Sequence, residues 1–233
     1  MSARQKWEEA KAKMAKAAAY WLKPEKTWII DKSFSFCYGH RVHNQRLDTK
    51  FTESGDACLA CRHLHGHEGL VKVFLTTTDG STNVSDTGMV TDFKHLGWFK
   101  NFLDDTLDHK FIMDIKDPLF KNEFTHCMGA DGPHEGYLRN FHIMDEGYMV
   151  PDMTSLEEML TTKLDDGKIT QSEYDAVFEK YEGAIFVDFV PTSENLAGWL
   201  LEVVTNKMKD LKGVKVKAVE YWETPKSHCR VEA

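Results

Sequence analysis

The sequence predicts an α+β protein built from antiparallel β-hairpins and a few helices. Apolar and polar residues alternate over residues 33–42 and again over 214–222, which is the period of a strand with one buried face. Between these segments, apolar residues at three-four spacing follow N-cap residues and predict helices. The resulting order of strand, strand, helix, long insertion, helix, strand, strand is typical of the α+β class.

The first 26 residues predict a helical extension. Pro24 is expected to end this helix, because proline removes a backbone donor and clashes with the preceding turn. Its apolar or small residues form one stripe, namely Trp7, Ala10, Met14, Ala17 and Trp21. The stripe would pack either on its own domain or against a neighbouring subunit.

The next two predicted strands carry histidines on their apolar faces. His40 lies on the aromatic face of the first strand, two residues after Tyr38. In the second strand, His65 and His67 share a face with Val71, because side chains repeat every second residue. If the strands pair, the three histidines converge on one metal ion.

The middle of the chain contains a predicted helix followed by an Asp-His pair. Asp79-Gly80 predicts a turn, and Asp92 is a plausible N-cap for the helix that follows. Asp108 and His109 come after the end of that helix. Neighbours in a regular strand point to opposite faces, so this pair can cooperate directly only at a bend or a helix end.

Residues 117–183 differ in composition from their surroundings and predict an insertion. Its first part has no clear period and predicts a loop, and its second part predicts a helical hairpin. The hairpin rests on the capping-box spacings Thr154/Glu157 and Thr170/Glu173 and on the turn Asp165-Asp166-Gly167. The insertion either caps a functional pocket or is a surface excursion without a catalytic role, since long surface insertions cost little.

The C-terminal part returns to regular structure. Residues 184–190 predict a short strand, and Pro191-Thr192-Ser193-Glu194 opens a helix. Residues 214–222 predict a strand that leads to Glu223-Thr224, and a last short strand covers residues 228–231.

Composition limits the class of partner. A formal net charge of −8 and an isoelectric point near 5.8 argue against unassisted nucleic-acid binding, which needs clustered Lys and Arg. No apolar run approaches the roughly 20 residues of a membrane span. The five cysteines are odd in number and follow no secretory signal, so we expect free thiols in a reducing cytoplasm. A small-molecule substrate is therefore the expected partner.

The segment from Cys61 to His67 allows three interpretations. Cys58 and Cys61 have the spacing of a redox pair or of half a zinc ribbon, but no second pair of this kind exists. The histidines could instead simply pack or lie at the surface. We favour an open zinc site of three histidines with Cys61 beside it as an acid-base group. A second metal site has weaker support, because the spacing of its candidate ligands matches no common pattern. These ligands would be His126, Cys127, His134 and His142.

Six motifs give the chain a resemblance to a known family. They are Phe34-x-Phe36-x-x-x-His40-Arg41, Cys61-x-x-x-His65-Gly66-His67, Gly88-Met89-Val90-Thr91-Asp92-Phe93, Leu107-Asp108-His109, Pro191-Thr192-Ser193-Glu194-Asn195-Leu196-Ala197 and Glu223-Thr224. In this order they resemble the 6-pyruvoyltetrahydropterin synthase and 6-carboxytetrahydropterin synthase family. The resemblance implies the tunnelling fold, in which an antiparallel sheet with two helices on one face assembles into a barrel, usually a hexamer. Active sites would lie between subunits.

The resemblance also divides the chain and assigns its metal. Residues 1–26 would be an N-terminal extension, residues 27–116 and 184–233 the pterin synthase-like domain, and residues 117–183 the insertion. The zinc ligands would be His40, His65 and His67. Cys61 would be the general base that moves protons on the side chain of a dihydropterin.

The remaining implied roles concern the accessory pair and the substrate. Asp108 and His109 would form an accessory acid-base pair. Glu223 would anchor the pterin, because a carboxylate matches the forked N–H edge of a 2-amino-4-oxo ring. Thr224 and Thr192 would also bind the substrate.

Spacing selects a branch within the resemblance. The pyruvoyl-forming branch has Cys-x5-His-x-His, which would need cysteine at Leu59, whereas the carboxytetrahydropterin branch has the Cys-x3-His-x-His that Cys61 provides. The implied reaction converts 7,8-dihydroneopterin triphosphate to 6-carboxytetrahydropterin, a precursor of 7-deazaguanines such as queuosine. Two alternatives stay open: 6-pyruvoyltetrahydropterin synthesis or another side-chain cleavage, and a non-catalytic zinc-stabilised oligomer that binds a partner.

Overall fold

The computed structural model describes residues 2–21, 27–51, 59–78, 88–125 and 141–233, and its sheet and helices confirm the α+β class. Within these ranges the α-helices are α1 (Ala3–Trp21), α2 (Gly97–Thr106), α3 (Met153–Asp165), α4 (Gln171–Glu182) and α5 (Ser193–Met208). The strands are β1 (Ile29–His40), β2 (His65–Thr77), β3 (Lys110–Asp114), β4 (Phe141–Ile143), β5 (Met149–Pro151), β6 (Ala184–Val187), β7 (Val214–Thr224) and β8 (Ser227–Glu232). None of the helices in the described ranges is long and apolar enough to cross a lipid bilayer.

The described strands form one sheet in the order β4-β5-β6-β3-β1-β2-β7-β8. β1 and β2 are antiparallel from Ile29 opposite Thr76 to His40 opposite His65. β7 is antiparallel to both β2 and β8. These four strands confirm the two hairpins that the alternation predicted.

Strand β3 adds two parallel pairings to the antiparallel sheet that was predicted. It is parallel to β1 on one side and to β6 on the other. The sequence did not reveal it, because Ile112, Met113 and Asp114 are all buried and no alternation marks such a strand. Parallel neighbours need a long crossover connection, and the segment between β3 and β6 provides one.

The main hydrophobic core lies between the sheet and helices α2 and α5. It contains the inward side chains of β1, β2 and β7 together with the apolar stripes of both helices. Phe34 of β1 meets Phe99 of α2 edge to face, with ring centroids 5.1 Å apart. Truncating a buried aromatic of this kind to alanine typically costs about 3–5 kcal/mol. This core fixes the face of the sheet on which His40 lies.

A second core joins the inserted segment to the sheet. It comprises Met113, Phe120, Phe124, Phe141, Leu156, Leu160, Tyr181, Ala184 and Phe186. Helices α3 and α4 lie where the helical hairpin was predicted, and Thr170 and Glu173 form the predicted capping box. Strands β4 and β5 occupy a stretch that the sequence predicted as loop, because each has only three residues. The division into extension, domain and insertion stays a prediction.

The N-terminus of α3 differs from the prediction. Asp152, not Thr154, is the N-cap, and its carboxylate accepts a hydrogen bond from the Ser155 backbone N–H. Thr154 lies inside the helix. The chain leaves β5 at Pro151, so the next residue is the first that can cap.

Helix α1 forms where it was predicted, and four residues of its stripe are exposed in the single chain, namely Trp7, Ala10, Met14 and Ala17. The exposed fractions are 61% for Trp7 and 70% for Met14. Its packing against a neighbouring subunit stays a prediction. The expected helix stop at Pro24 and the turn at Asp79-Gly80 lie outside the described residues.

Candidate functional site

The paired strands β1 and β2 bring three histidines together. The register places His40 opposite His65 and Tyr38 opposite His67. The ring centroids are 4.6 Å apart for His40 and His65, 5.1 Å for His40 and His67, and 4.9 Å for His65 and His67. The convergence predicted from alternation is therefore observed.

Backbone carbonyl groups orient two of these rings. His40 Nδ1 lies 2.6 Å from the Pro191 oxygen, and His65 Nδ1 lies 2.7 Å from the His63 oxygen. A carbonyl oxygen can only accept, so each Nδ1 carries the proton and donates it. In the neutral tautomer each Nε2 then has a free lone pair, which is the arrangement of a metal-binding imidazole.

Glu223, at the end of β7, completes a cluster with the histidines. Its Oε1 lies 3.2 Å from His40 Nε2 and 3.4 Å from His67 Nε2. One nitrogen from each histidine and one carboxylate oxygen all lie within 4.8 Å of one another. The sequence did not predict this contact, because the β2–β7 pairing that creates it joins residues about 150 positions apart.

Electrostatics favour a neutral His67 ring beside a charged carboxylate. Desolvation by burial lowers the pKa of His67. The contact with His40 holds the pKa of the Glu223 carboxyl below its usual range. Among the described residues, the buried Nε2 atoms of His40 and His67 have no aligned hydrogen-bond partner. Three imidazole nitrogens and a carboxylate are a donor set that fits a divalent ion such as Zn²⁺.

Asp108 and His109 form a pair at a bend just before β3. His109 has a φ of 59°, which is rare for a residue with a Cβ and turns the backbone sharply. His109 Nδ1 lies 3.0 Å from Asp108 Oδ2. The bend thus lets these neighbours face each other, as cooperation between them requires.

Strand β1 anchors this pair. The Cys37 N–H donates to Asp108 Oδ1, and the His109 N–H donates to the Cys37 oxygen, both at 2.7 Å. The hydrogen bond from Cys37 lowers the pKa of Asp108. The His109 side chain is 82% exposed and lines an open concavity of about 520 Å³ together with His65 and Leu64. The pair and the histidine cluster therefore adjoin each other through His65.

Cys61 lies in a single 3₁₀ turn, Ala60–Arg62, and is half-buried. Its carbonyl oxygen accepts from the Val42 N–H at 2.7 Å, which ties it to the residue two positions after His40. Within the described ranges, no hydrogen bond joins its thiol to Asp108 or His109. Cys58, its partner in the alternative redox pair, lies outside the described residues.

Two buried acids that sequence reasoning missed hold the loop after β1. Asp117 Oδ2 lies 2.7 Å from Arg41 Nε, and Asp114 Oδ2 lies 3.0 Å from His43 Nε2. Both acids are almost fully buried. Through Val42, this loop contacts the main chain of Cys61. The only local signal was an apolar run ending in an acid, which does not distinguish buried from exposed acids.

The predicted substrate residues occupy two places. Glu223 and Thr224 line a cavity of about 500 Å³ with His67 and Trp222. Thr192 is the N-cap of α5, where its hydroxyl accepts from the Asn195 N–H at 3.3 Å. A larger cavity of about 640 Å³ between α2 and α5 shares no lining residue with the histidine cluster. The smaller cavity is therefore the better candidate for a substrate pocket.

The second predicted metal site cannot be assembled from the described residues. His126, Cys127 and His134 lie outside them. His142 Nε2 lies 3.6 Å from Asp152 Oδ1 at the start of α3.

Two curated relatives are similar to part of the chain, and both are called 6-carboxy-5,6,7,8-tetrahydropterin synthase. The protein of Aquifex aeolicus (strain VF5) is 37% identical over 97 residues, which are 40% of this chain and 57% of that protein. The protein of Synechocystis sp. is 35% identical over 91 residues, which are 37% of this chain and 59% of that protein. The match thus spans less than two thirds of either relative.

A solved structure is similar over most of the chain. It is an uncharacterized protein, WS1659 from Wolinella succinogenes, with a TM-score of 0.71 and 43% sequence identity. The similarity covers 89% of this chain and 99% of that one. Residues 117–183 are longer than the part of this chain left uncovered, so the similar region includes some of them. Residues 29–233 match the sequence model described as 6-pyruvoyl tetrahydropterin synthase. The chain therefore belongs to the 6-pyruvoyl tetrahydropterin synthase family, as its motifs predicted.

Proposed function

We propose that this protein is a zinc-dependent lyase, a 6-carboxy-5,6,7,8-tetrahydropterin synthase that acts on 7,8-dihydroneopterin triphosphate. The observation that carries the chemistry is the cluster of three imidazole nitrogens and one carboxylate. The name of both curated relatives and the Cys-x3-His-x-His spacing support the carboxy branch. The product would serve the synthesis of 7-deazaguanines such as queuosine.

The metal would be held by His40, His65 and His67 through their Nε2 atoms. Bound Zn²⁺ supplies a positive charge that polarises substrate oxygens and lowers the pKa of a nearby thiol. Neutral imidazoles leave that charge undiminished. The carbonyl groups of Pro191 and His63 keep two of the rings in the required tautomer.

Proton transfer would be the task of the residues on turns. Cys61 would take a proton from the dihydropterin side chain as its thiolate, held beside the end of β1 by the Val42 hydrogen bond. Asp108 would orient His109 by accepting from its Nδ1, so that the exposed ring exchanges protons through Nε2. The backbone of Cys37 in turn keeps Asp108 charged and in place.

Glu223 and Thr224 would recognise the pterin ring. A carboxylate accepts two parallel hydrogen bonds from the 2-amino group and the adjacent ring N–H, which a neutral residue cannot match in strength. Thr192 would contribute at the start of α5, close in sequence to the Pro191 carbonyl that orients His40.

The active form would be a homohexamer in the cytoplasm, with active sites between subunits. The concavity beside His65 and His109 is wide open in one chain. A neighbouring subunit could close it and exclude water from the reaction.

Product analysis tests the proposal. Zinc-loaded protein is incubated with 7,8-dihydroneopterin triphosphate, and pterins and aldehydes are quantified. We expect 6-carboxytetrahydropterin with acetaldehyde and triphosphate. A 6-pyruvoyl product without acetaldehyde would contradict the carboxy branch and support the alternative that the family description favours. Zinc binding without turnover of any dihydropterin would instead favour the non-catalytic oligomer.

A further inference from the structure

The position of Glu223 resembles that of a metal ligand. Two atoms bound at roughly 2.0–2.1 Å to a tetrahedral zinc ion lie about 3.3–3.4 Å apart. The Glu223 Oε1 atom lies 3.2 Å from His40 Nε2 and 3.4 Å from His67 Nε2. The carboxylate oxygen is therefore at the distance of a fourth ligand from two of the three nitrogens.

The charges around His40 point the same way. This ring is fully buried, and its Nδ1–H donates to the Pro191 carbonyl. Its Nε2 faces the carboxylate of Glu223, which can only accept when it is ionised. A lone pair and a carboxylate repel each other unless a proton or a metal ion lies between them, and a metal ion satisfies both groups at once.

A backbone irregularity sets the direction of this side chain. The pairing of β7 with β8 changes register between Trp222 and Thr224, so Glu223 lies at a β-bulge. Bulges re-aim side chains and are frequent next to active sites. The Glu223 side chain is still 26% exposed and borders the cavity lined by Thr224, so it has room to turn away from the histidines.

We propose that Glu223 is a fourth metal ligand before substrate binds and leaves the metal to bind the pterin ring. This inference rests on the proposed function. One carboxylate group cannot hold the metal and also use both oxygens for the forked N–H edge of a pterin. A catalytic zinc site needs an open position, which release of the carboxylate provides. Pterin recognition would thus open the metal site, and ligands without that edge would leave it closed.

Metal affinity tests whether Glu223 is a metal ligand before substrate binds. Zinc affinity is measured by chelator competition for the wild type, E223Q and the control E220Q, which lies on the same strand and pairs with Arg230. We expect E223Q to bind zinc at least about ten-fold more weakly, because even outer-shell partners contribute this much. E220Q should match the wild type. Equal affinity of E223Q and the wild type would overturn the inference and leave the three-histidine site intact.

Cobalt spectroscopy tests whether Glu223 leaves the metal when the pterin ring binds. The main measurement uses the wild type, so it does not depend on the folding of a variant. Co²⁺-loaded protein is titrated with 6-methylpterin and with 6-methyllumazine, which lacks the 2-amino group but keeps the ring nitrogens and oxygens. We expect the visible cobalt bands to change with 6-methylpterin alone, and this change to be absent in E223Q.

Results that would overturn the release of Glu223 can be distinguished from a failure of the proposed metal site. Binding of 6-methylpterin, seen by fluorescence, without a change in the cobalt bands would overturn the release of Glu223. Equal changes with both compounds would also overturn it, because the ring itself would then ligate the metal. A wild type that binds neither zinc nor cobalt would refute the metal site in the proposed function and this inference with it.

Discussion

The two halves of the candidate site are built on different kinds of backbone. The metal half lies on β1 and β2, which are joined by twelve consecutive residue pairs. The acid-base half lies on a single 3₁₀ turn and on a bend with positive φ. The metal half comprises the proposed ligands His40, His65 and His67, and the acid-base half comprises the proposed proton-transfer residues Cys61, Asp108 and His109.

This difference determines how each half should respond to substitution. A ladder of many hydrogen bonds fixes the three rings collectively, so the loss of a whole ring should weaken metal binding most strongly. The acid-base half depends on a few contacts, such as the Val42 to Cys61 hydrogen bond and the two between Cys37 and the Asp108–His109 pair. Changes there should lower turnover while the metal stays bound.

The largest effect is expected from His65→Ala, which removes a ring from the metal half. Zinc affinity should fall at least about 100-fold, because a ligand is lost rather than an outer-shell partner, and turnover should disappear. Zinc content after gel filtration and product formation measure this. His95→Ala is the matched control, since His95 is exposed and contacts Thr91. Stoichiometric zinc in His65→Ala would show that this ring is not a ligand.

Cys61→Ala should separate the two halves. Removal of the proposed general base should lower kcat by about 10²- to 10⁴-fold, while zinc content equals that of the wild type. The control is Cys229→Ala on β8, which should keep full activity. If Cys61→Ala turned over substrate at the wild-type rate, the assignment of the base would be wrong.

Asp117→Asn should weaken the support of the acid-base half. It leaves the Arg41 guanidinium without its buried partner, so the free energy of unfolding should fall by about 3 kcal/mol, with zinc retained and kcat reduced. Asp188→Asn is the control, because its pair with Lys116 is exposed and should contribute less than about 1 kcal/mol. Denaturant unfolding measures the loss of unfolding free energy in each of the two variants. Equal losses in both variants would contradict a structural role for the buried pair.

Asp108→Asn should show the smallest effect on stability, and this effect should depend on pH. The Cys37 N–H lowers the pKa of Asp108 in the folded protein, so the ionised carboxyl stabilises the fold above its unfolded pKa of about 3.9. That contribution is lost as the pH falls through the folded value. The urea midpoint of the wild type should therefore exceed that of Asp108→Asn at pH 7, and the difference should shrink as the pH falls below about 3.9 and vanish only below the folded pKa. If the difference were as large well below the folded pKa as at pH 7, the charge of Asp108 would not be its origin.

Local sequence patterns predicted the metal half better than its surroundings. Alternation placed His40, His65 and His67 on apolar faces, and capping residues located the starts of α4 and α5. The same rules missed β3, because a strand buried on both faces has no alternation. They also placed the cap of α3 two residues too late, since several polar residues compete at that end.

The sequence by itself determined the family, the α+β class and the face on which each histidine lies, because these follow from motifs and local periodicity. Only the tertiary structure decided that Glu223 meets the histidines, that Asp108 and His109 face each other, and that Asp114 and Asp117 are buried against the loop after β1. Periodicity specifies which face of a strand is buried. It does not specify which strands become neighbours or where the backbone bends, and those contacts arise only when distant segments pack together.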